Sequence, residues 1–341
     1  MHAPHDVTNT AASASAAAFA PVVDPAARRR NPIGAHVPVA GRGLVGTGLA
    51  YAERMGAEAV QVFVANPRGW ATPEGDPAQD RAFREACRER GIPAYVHAPY
   101  LINFGSDTAA TRERSTDSLR HSLLRAHAIG ALGVVVHTGS AVGRTADGGS
   151  RRAEAMAQVR ADVRPLLDEL DELDELQGGE AVPWLLLEPT AGQGQSLCSR
   201  IEDLAAYADA LDRHPRLGVC LDTCHAFAAG HDLAAPGGVT EALDLLEEVF
   251  GPGRLKLIHA NDSKDVVGAR KDRHANIGDG HIGAEPFREL FRHPATDGVP
   301  LILETPDRSA APGFGHAADV ETLKRLRAEA WIKGTDRVSA L

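Results

Sequence analysis

The sequence has few cysteines, no long apolar run and a shortage of positive charge. Its 341 residues contain four cysteines, Cys87, Cys198, Cys220 and Cys224. Four are too few for a disulfide framework in so long a chain, and they form no C-x-x-C zinc motif. No apolar stretch approaches the roughly 20 residues that a membrane helix requires. These absences exclude a disulfide-stabilised secreted domain and predict a soluble protein of a reducing, cytoplasmic compartment.

Acidic residues outnumber basic ones. Lys+Arg 36 against Asp+Glu 46 gives a formal net charge of −10. Over the whole chain this argues against a nucleic-acid partner, because phosphate binding needs a positive surface. Some of the acidic residues lie in "LLDELDELDEL" (166–176), whose leucine spacing predicts a solvated amphipathic helix. The net charge therefore leaves open a local basic surface elsewhere.

Residues 1–31 differ in composition from the rest of the chain. They are rich in Ala, Ser and Pro, and no Lys or Arg precedes the "AASASAAAFAP" segment, as a signal peptide would require. We expect a disordered arm over 1–31 and one folded domain over 32–341. Arg28, Arg29 and Arg30 either add non-specific nucleic-acid affinity to this arm or are simply solvated.

Eight short apolar runs rich in β-branched residues predict strands that are buried on both faces. They are 33–37, 59–64, 92–97, 133–137, 182–188, 216–222, 255–259 and 300–304. Helical patterns lie between them, for example at 76–91, 111–131 and 199–215. A doubly wound sheet is the alternative, but "GRGLVGTG" (41–48) misses the dinucleotide-binding spacing. We predict an α/β protein with a (β/α)₈ TIM barrel of the xylose-isomerase-like kind.

Six of the eight runs end on a residue type that binds metals. In order, the third to eighth runs end on His97, His137, Glu188, Asp222, His259 and Glu304. In such a barrel the carboxyl ends of the strands meet at one face, where catalytic groups lie. Crowded acids and imidazoles there would be costly to desolvate and would repel one another unless cations neutralised them. The pattern therefore predicts a metal site.

Two further pairs extend this set to nine candidate ligands. They are Asp222-x-x-His225 and Asp272-x-His274. One zinc ion takes three or four protein ligands, so nine predict two or three ions with a bridging carboxylate. Mixed imidazole and carboxylate ligands favour Zn²⁺, with Mn²⁺ or Fe²⁺ as alternatives. Cys220 and Cys224 are less suited, because the first lies inside a strand and the second is expected in the pocket wall.

The segments around these residues resemble the endonuclease IV family of apurinic/apyrimidinic (AP) DNA-repair endonucleases, which are three-zinc (β/α)₈ barrels. The similarity runs from Ile33 to Glu304 and includes "HAPYLIN", "VVHTGS", "LLEPTAGQG", "GVCLDTCHAFAAG", "IHANDSK" and "DRHANIGDGHIG". It implies base excision repair of double-stranded DNA, by hydrolysis 5′ to an abasic site that leaves a 3′-hydroxyl and a 5′-deoxyribose phosphate. It also implies cleaning of blocked 3′ ends, a 3′-phosphodiesterase activity.

The resemblance further implies three Zn²⁺ per chain, with Mn²⁺ as an alternative at one or more sites. The implied ligand sets are His97, His137 and Glu188; Glu188, Asp222, His259 and Glu304; and His225, Asp272 and His274. The carboxylates Glu188, Asp222 and Glu304 would hold and bridge the ions. The nucleophile would be a zinc-bound water and not a side chain.

Candidate DNA contacts come from the resemblance and from the loops. Arg68, Tyr100 and Leu101 match family residues that enter the base stack at the lesion, although packing or a solvent salt bridge would also explain them. Basic residues expected on loops at the active face are Lys264, Arg270, Lys271 and Arg273. We expect a monomer that associates with the nucleoid when it acts on DNA.

Two other functions would use a similar barrel. A metal-dependent sugar isomerase or epimerase of the xylose-isomerase-like type also gathers carboxylates and a histidine at late strands. It needs one or two ions, and nothing in its chemistry requires His97, His137, His225 and His274 together. A barrel that binds abasic DNA without cutting it would leave the full ligand set without a purpose.

Overall fold

The computed structural model describes residues 31–177, 182–307 and 315–332. Its strands, in chain order, are β1 Ile33–His36, β2 Val60–Val62, β3 Ala94–His97, β4 Gly133–His137, β5 Trp184–Glu188, β6 Leu217–Asp222, β7 Leu255–His259, β8 Asp262–Ser263, β9 His274–Ala275 and β10 Leu301–Leu303. Eight of them close into a parallel barrel in the order β1-β10-β7-β6-β5-β4-β3-β2. The predicted (β/α)₈ barrel is confirmed, because β1 pairs with β10 where a doubly wound sheet would stay open.

Helices connect the barrel strands. A π-helix, Leu44–Leu49, leads into the first of them, and a 3₁₀ turn, Pro294–Thr296, follows the eighth. The α-helices in the described ranges are α1 Ala50–Arg54, α2 Pro77–Arg90, α3 Ala109–Ile129, α4 Arg152–Gln177, α5 Asp203–Ala210, α6 Thr223–Ala229, α7 Gly238–Phe250, α8 Glu285–Leu290 and α9 Ala317–Ile332. None of these helices is long and apolar enough to span a bilayer.

The ends of α2 show how local sequence sets a helix. The Asp76 side chain accepts hydrogen bonds from the backbone N–H of Ala78 at 2.8 Å and of Gln79 at 3.3 Å, as an N-cap residue does. Gly91 ends the helix with φ 64°, a left-handed conformation that glycine adopts without steric cost. The predicted helix at 76–91 is confirmed to within one residue at each end.

The helical pattern at 199–215 forms a shorter helix than predicted, α5. The Asp203 carboxylate accepts from the backbone N–H of Ser199 and Arg200, both at 3.1 Å, and so holds a turn before the helix. At the other end Asp212 and Arg213 have φ of 55° and 47°, which interrupts the helix. Apolar periodicity continued beyond both points, so it overestimated the helix length.

The strands alternate between two cores. In β5, Leu185 and Leu187 pack in the main cluster against the helices, whereas Leu186 belongs to a separate cluster inside the barrel. This inner layer comprises Ala59, Tyr95, Val135, Leu186, Cys220, Leu257 and Ile302. On β1 the inner position is Gly34, where a Cβ would lie 1.7 Å from the carbonyl oxygen of Ala59. Because side chains alternate along a strand, the residue two beyond each inner residue also points into the barrel.

The described part of the chain begins at the amino-terminal ends of the barrel strands. Asn31, the last residue of the predicted arm, is buried and its amide donates to the carbonyl oxygens of Thr296 and, at 2.9 Å, Val299. Residues 1–30 of that arm, including Arg28, Arg29 and Arg30, lie outside the described residues.

Candidate metal centre

A polar layer lies directly above the apolar layer, at the carboxyl ends of the strands. Its members, each two residues beyond an inner position, are His36, Gln61, His97, His137, Glu188, Asp222, His259 and Glu304. The side chains of Glu188, Asp222 and His259 have no measurable exposure. All six strand-end residues predicted from the sequence therefore lie in one layer.

His97 and His137 approach Glu188 from neighbouring strands. Nε2 of His97 lies 3.3 Å, and Nε2 of His137 3.4 Å, from the same carboxylate oxygen, Oε2 of Glu188. Nδ1 of His97 is 2.7 Å from the carbonyl oxygen of Ala98, to which it donates. The Nε2 lone pair of His97 is thereby turned toward the carboxylate.

A second group forms around His259. Its Nδ1 lies 2.9 Å from Oε1 of Glu188, 3.3 Å from Oε2 of Glu304 and 4.0 Å from Oδ2 of Asp222. The Asn261 side chain links two of these acids, because its amide nitrogen donates to Asp222 Oδ2 at 2.8 Å and its oxygen accepts from the backbone N–H of Glu304 at 2.9 Å. Glu188 thus belongs to both groups. Its Oε2 faces His97 and His137, and its Oε1 faces His259.

A third group lies beside the second. Nε2 of His225 is 3.3 Å from Oδ2 of Asp272, and Nε2 of His274 is 3.0 Å from Oδ1 of the same carboxylate. His274 Nε2 is also 3.6 Å from Oδ2 of Asp222. Asp222 caps α6 by accepting from the backbone N–H of His225 at 2.8 Å, so the end of β6 places both residues.

The β8–β9 hairpin carries Asp272 and His274 to the site, and Asp262 holds it there. The buried Asp262 carboxylate accepts from the backbone N–H of Gly278, Gly280, Ile282 and Gly283 at 2.9–3.1 Å. A Cβ at Gly280 would lie 2.3 Å from Asp262 Oδ1, so the loop can wrap this closely only with glycine there.

These side chains fit a metal centre. The nitrogen and oxygen atoms within each of three such sets lie within 4.8 Å of one another: His97, His137 and Glu188; Glu188, Asp222, His259 and Glu304; and Asp222, His225 and His274. Glu188 Oε2, His225 Nε2 and His274 Nε2 are buried and make no hydrogen bond within the described residues. Each of them lies 3.0–3.4 Å from an oppositely charged group without a well-formed hydrogen bond, and a bound cation between the groups would satisfy them.

The pKa values of the acids and imidazoles also indicate a site suited to a cation. Burial alone would lower the pKa of His225 and His274, but nearby carboxylates, Asp222 first, outweigh it and raise these pKa values to about 10 and about 9. Burial would raise the pKa of Asp272 and Glu304, yet the surrounding imidazoles hold both below the usual range. Without metal, protons on imidazole therefore balance the acids, and a cation would displace them.

Two thiols lie at the edge of these groups. Cys220 Sγ falls within 4.8 Å of ligand atoms of Glu188 and His259, and Cys224 lies similarly near Asp272 and His274. Burial raises the pKa of Cys220 to about 12 and raises that of Cys224 as well. Since the thiolate is the form that binds metal, burial disfavours both as ligands.

The predicted base-stack residues occur together at the rim of this pocket. Tyr100 and Leu101 are 45% and 37% exposed, large values for apolar side chains. The Tyr100 ring lies 5.2 Å from that of His97, and its backbone N–H donates to the carbonyl oxygen of Pro67 at 3.0 Å. This hydrogen bond joins the Tyr100 loop to the loop of Arg68, which is exposed.

The four basic residues predicted to contact DNA lie on the β8–β9 hairpin, but they contribute unequally to the positive charge of its surface. Arg273 Nε lies 2.6 Å from Oδ2 of Asp265, and Lys271 Nζ lies 3.7 Å from Oδ1 of the same carboxylate. Asp265 therefore offsets part of their charge. Lys264 and Arg270 are exposed and form no ion pair among the described residues, so they contribute more to the local positive field.

Two polar residues of the site, Gln61 and Asn261, were missed from the sequence. Gln61 follows Ala59 by two residues, and Asn261 follows His259 by two residues. The same alternation that led to the strand-end ligands could have identified both. Neither belongs to the predicted set, because an amide is not a common metal ligand and that set contains only histidines and carboxylates.

Comparison with known proteins agrees with this geometry. Residues 49–327 match the family described as xylose isomerase-like TIM barrel. Proteins named probable endonuclease 4 from Streptomyces avermitilis and Streptomyces coelicolor are 66% and 65% identical over 298 residues. The aligned region is 87% of this chain and 91% and 96% of theirs.

Solved structures with the same fold include an endonuclease IV and a sugar epimerase. The crystal structure of endonuclease IV from Thermus thermophilus matches with a TM-score of 0.70 and 33% identity, covering 87% of this chain and 99% of that one. A structure of L-ribulose 3-epimerase matches with a TM-score of 0.64 at 15% identity, covering 91% of this chain and 99% of that one, and shares the fold alone. With the nine side chains gathered at the carboxyl end of the barrel, these similarities show that the chain belongs to the endonuclease IV family.

Proposed function

We propose that this chain is a metal-dependent AP endonuclease of base excision repair. It hydrolyses the phosphodiester 5′ to an abasic site in double-stranded DNA and leaves a 3′-hydroxyl and a 5′-deoxyribose phosphate. It also removes blocked 3′ ends, and it acts as a monomer in the cytoplasm, on DNA of the nucleoid. The observation that supports this most strongly is the convergence of five histidines and four carboxylates in one pocket.

Three Zn²⁺ are the proposed ions, with Mn²⁺ as an alternative at one or more positions. Glu188 contributes one carboxylate oxygen to the His97 and His137 group and the other to the His259 group. It is therefore the proposed bridge, with Asp222 and Glu304 completing the second set and Asp272 the third. When bound, such ions would polarise a phosphoryl oxygen and would lower the pKa of a water molecule, the proposed nucleophile.

The protein itself holds this arrangement in advance. The donors come from strand ends and from a hairpin anchored by Asp262, so few side chains have to reorganise. Asn261 fixes both Asp222 and the backbone of Glu304 by hydrogen bonds at 2.8 and 2.9 Å. Preorganised charge is the main way in which a site of this kind lowers a barrier.

The rim provides the proposed recognition of the lesion. Tyr100 and Leu101 present exposed apolar surface next to His97, and Arg68 lies on the adjoining loop. Inserted into the base stack, they would compensate for the unstacking that an abasic site makes easier. The basic side chains of the hairpin would contact backbone phosphates, which explains how an acidic protein binds DNA; they are Lys264, Arg270, Lys271 and Arg273.

The test is incision of a duplex that contains one abasic-site analogue. Zinc-loaded protein is expected to cut once, 5′ to the analogue, and leave a 3′ end that a polymerase extends. The matched duplex without the lesion stays intact, and a strong chelator abolishes the cut. A fully zinc-loaded sample that leaves the lesion duplex uncut, or that epimerises a free sugar, would contradict the proposal.

Metal analysis and light scattering test the remaining parts. Elemental analysis of natively purified protein should give three ions per chain and identify zinc or manganese. Light scattering should give the mass of one chain, 36.0 kDa. A single ion per chain, or a stable dimer, would contradict those parts while leaving the incision result to decide the activity.

A further inference from the structure

We infer that Gln61 is a positioning residue of the metal centre: its side-chain amide decides which ring nitrogen of His259 is protonated and holds Glu304 beside that ring. The inference rests on the proposed function, since the ions are those that the nine side chains would hold. Gln61 lies on β2, a strand that carries none of the nine candidate ligands, and its side chain is fully buried.

The contacts of Gln61 determine the orientation of its amide. Its Oε1 is 2.9 Å from Nε2 of His259, and its Nε2 donates to Oε1 of Glu304 at 2.8 Å. The same nitrogen is 3.0 Å from Nδ1 of His36. Exchanging the amide oxygen and nitrogen would place an oxygen against a carboxylate oxygen, with no proton between them. The orientation follows from that repulsion.

This orientation sets the tautomer of His259. An amide oxygen can only accept, so the proton of this hydrogen bond must be on Nε2 of His259. In a neutral ring Nδ1 then carries the lone pair. Nδ1 is the atom that lies 2.9 Å from Glu188 and 3.3 Å from Glu304, where the ligands of the second group converge. Gln61 therefore directs the lone pair of His259 to the proposed cation.

His259 differs in this respect from three other histidines of the site. In His97, His225 and His274, Nδ1 faces a backbone carbonyl oxygen, at 2.7, 3.1 and 3.2 Å respectively, and Nε2 faces the site. A backbone carbonyl cannot be removed by substitution. In His259 the ring is reversed and its tautomer depends on a side chain, so one substitution outside the ligand set tests the role.

The experiment measures metal affinity and needs no DNA. Gln61→Leu keeps much of the volume but removes the hydrogen bonds to His259, Glu304 and His36. Competition with a chromophoric chelator for Zn²⁺ should show one ion per chain bound about 10–100-fold more weakly than in the unsubstituted protein, with the other ions retained. In the Co²⁺-loaded variant the visible absorption of one site should change. Gln61→Met keeps the length of the side chain but has no amide, so it should weaken the binding of the same ion.

Asn31→Leu is the matched control. It removes another buried amide, hydrogen-bonded to Thr296 and Val299 at the opposite end of the barrel. It should lower the stability of the metal-free protein while leaving every metal affinity unchanged.

The inference is overturned if Gln61→Leu binds all its ions with unchanged affinity, or if Asn31→Leu weakens binding equally. If Gln61→Leu does not fold, Gln61→Met decides, because it also lacks the amide: weaker binding of one ion supports the role of Gln61, and unchanged binding of all ions contradicts it. Failure of the proposed DNA incision would not affect these affinities, so the two failures can be told apart.

Discussion

The inside of the barrel has two layers of opposite character, two residues apart along the same strands. The lower layer, which includes Leu186, Leu257 and Ile302, is apolar and fully buried. The upper layer contains Glu188, His259 and Glu304, each two residues further on. The lower layer is stable by packing alone, whereas the upper layer combines buried charges whose desolvation has to be offset by partners. The barrel therefore supplies a dry, rigid base on which an otherwise unfavourable cluster is held ready for cations.

Glu188→Gln should break the upper layer with the largest effect. It keeps the shape of the side chain but removes the charge that both His97 and His259 face. We expect incision of the lesion duplex to fall by about 10²–10³-fold, comparable to the loss of a group that stabilises transition-state charge. Single-turnover rates measured at saturating zinc would show this. A rate within a few fold of the unsubstituted protein would contradict the proposed bridging role.

Leu186→Ala should break the lower layer instead. Removing a fully buried leucine from a packed core costs about 2–5 kcal/mol of unfolding free energy. Because the substitution leaves the ligands in place, zinc stoichiometry should not change. Urea unfolding of the chelated protein, together with metal analysis, tests both statements. Loss of an ion without loss of stability would show that the two layers are not separable.

Tyr100→Ala extends the comparison to the rim above both layers. Base stacking on an aromatic side chain contributes about 1–3 kcal/mol. We therefore expect weaker binding of the lesion duplex by a factor of roughly ten to a hundred, with unchanged zinc content. Binding isotherms at fixed salt would measure it, with Tyr207→Phe as a control because Tyr207 is buried in the main core. Equal weakening for an undamaged duplex would contradict a role at the lesion.

The smallest effect is a pH dependence confined to the metal-free protein. The folded pKa values of about 10 for His225 and about 9 for His274 exceed the ordinary 6.5, so the folded state binds more protons between these limits. The stability that they contribute is fully present below pH 6.5 and is lost as pH rises through about 9 to 10. Thermal unfolding of chelated protein at about pH 7 and about pH 10 should show this decrease. Zinc-loaded protein, in which the imidazoles are neutral ligands, is the control and should not show it.

Much of this could be predicted from strand periodicity and residue type. The eight apolar runs located the eight barrel strands, and their last residues, such as Glu188, were the candidate ligands. Periodicity failed at α5, because the side chain of Asp203 caps a turn and the positive φ of Asp212 ends the helix early. Gln61 and Asn261 were also missed, since their importance comes from what they contact and not from their residue types.

The order of strands and helices, and the placement of acids and imidazoles at strand ends, were determined by the sequence, because hydrophobic alternation dictates which side chains enter the barrel. Tertiary structure alone decided which of these groups share an oxygen of Glu188, which nitrogen of His259 is turned to the site and which basic side chains Asp265 offsets. Those features depend on distances between residues far apart in the chain, and such distances exist only once the barrel has closed.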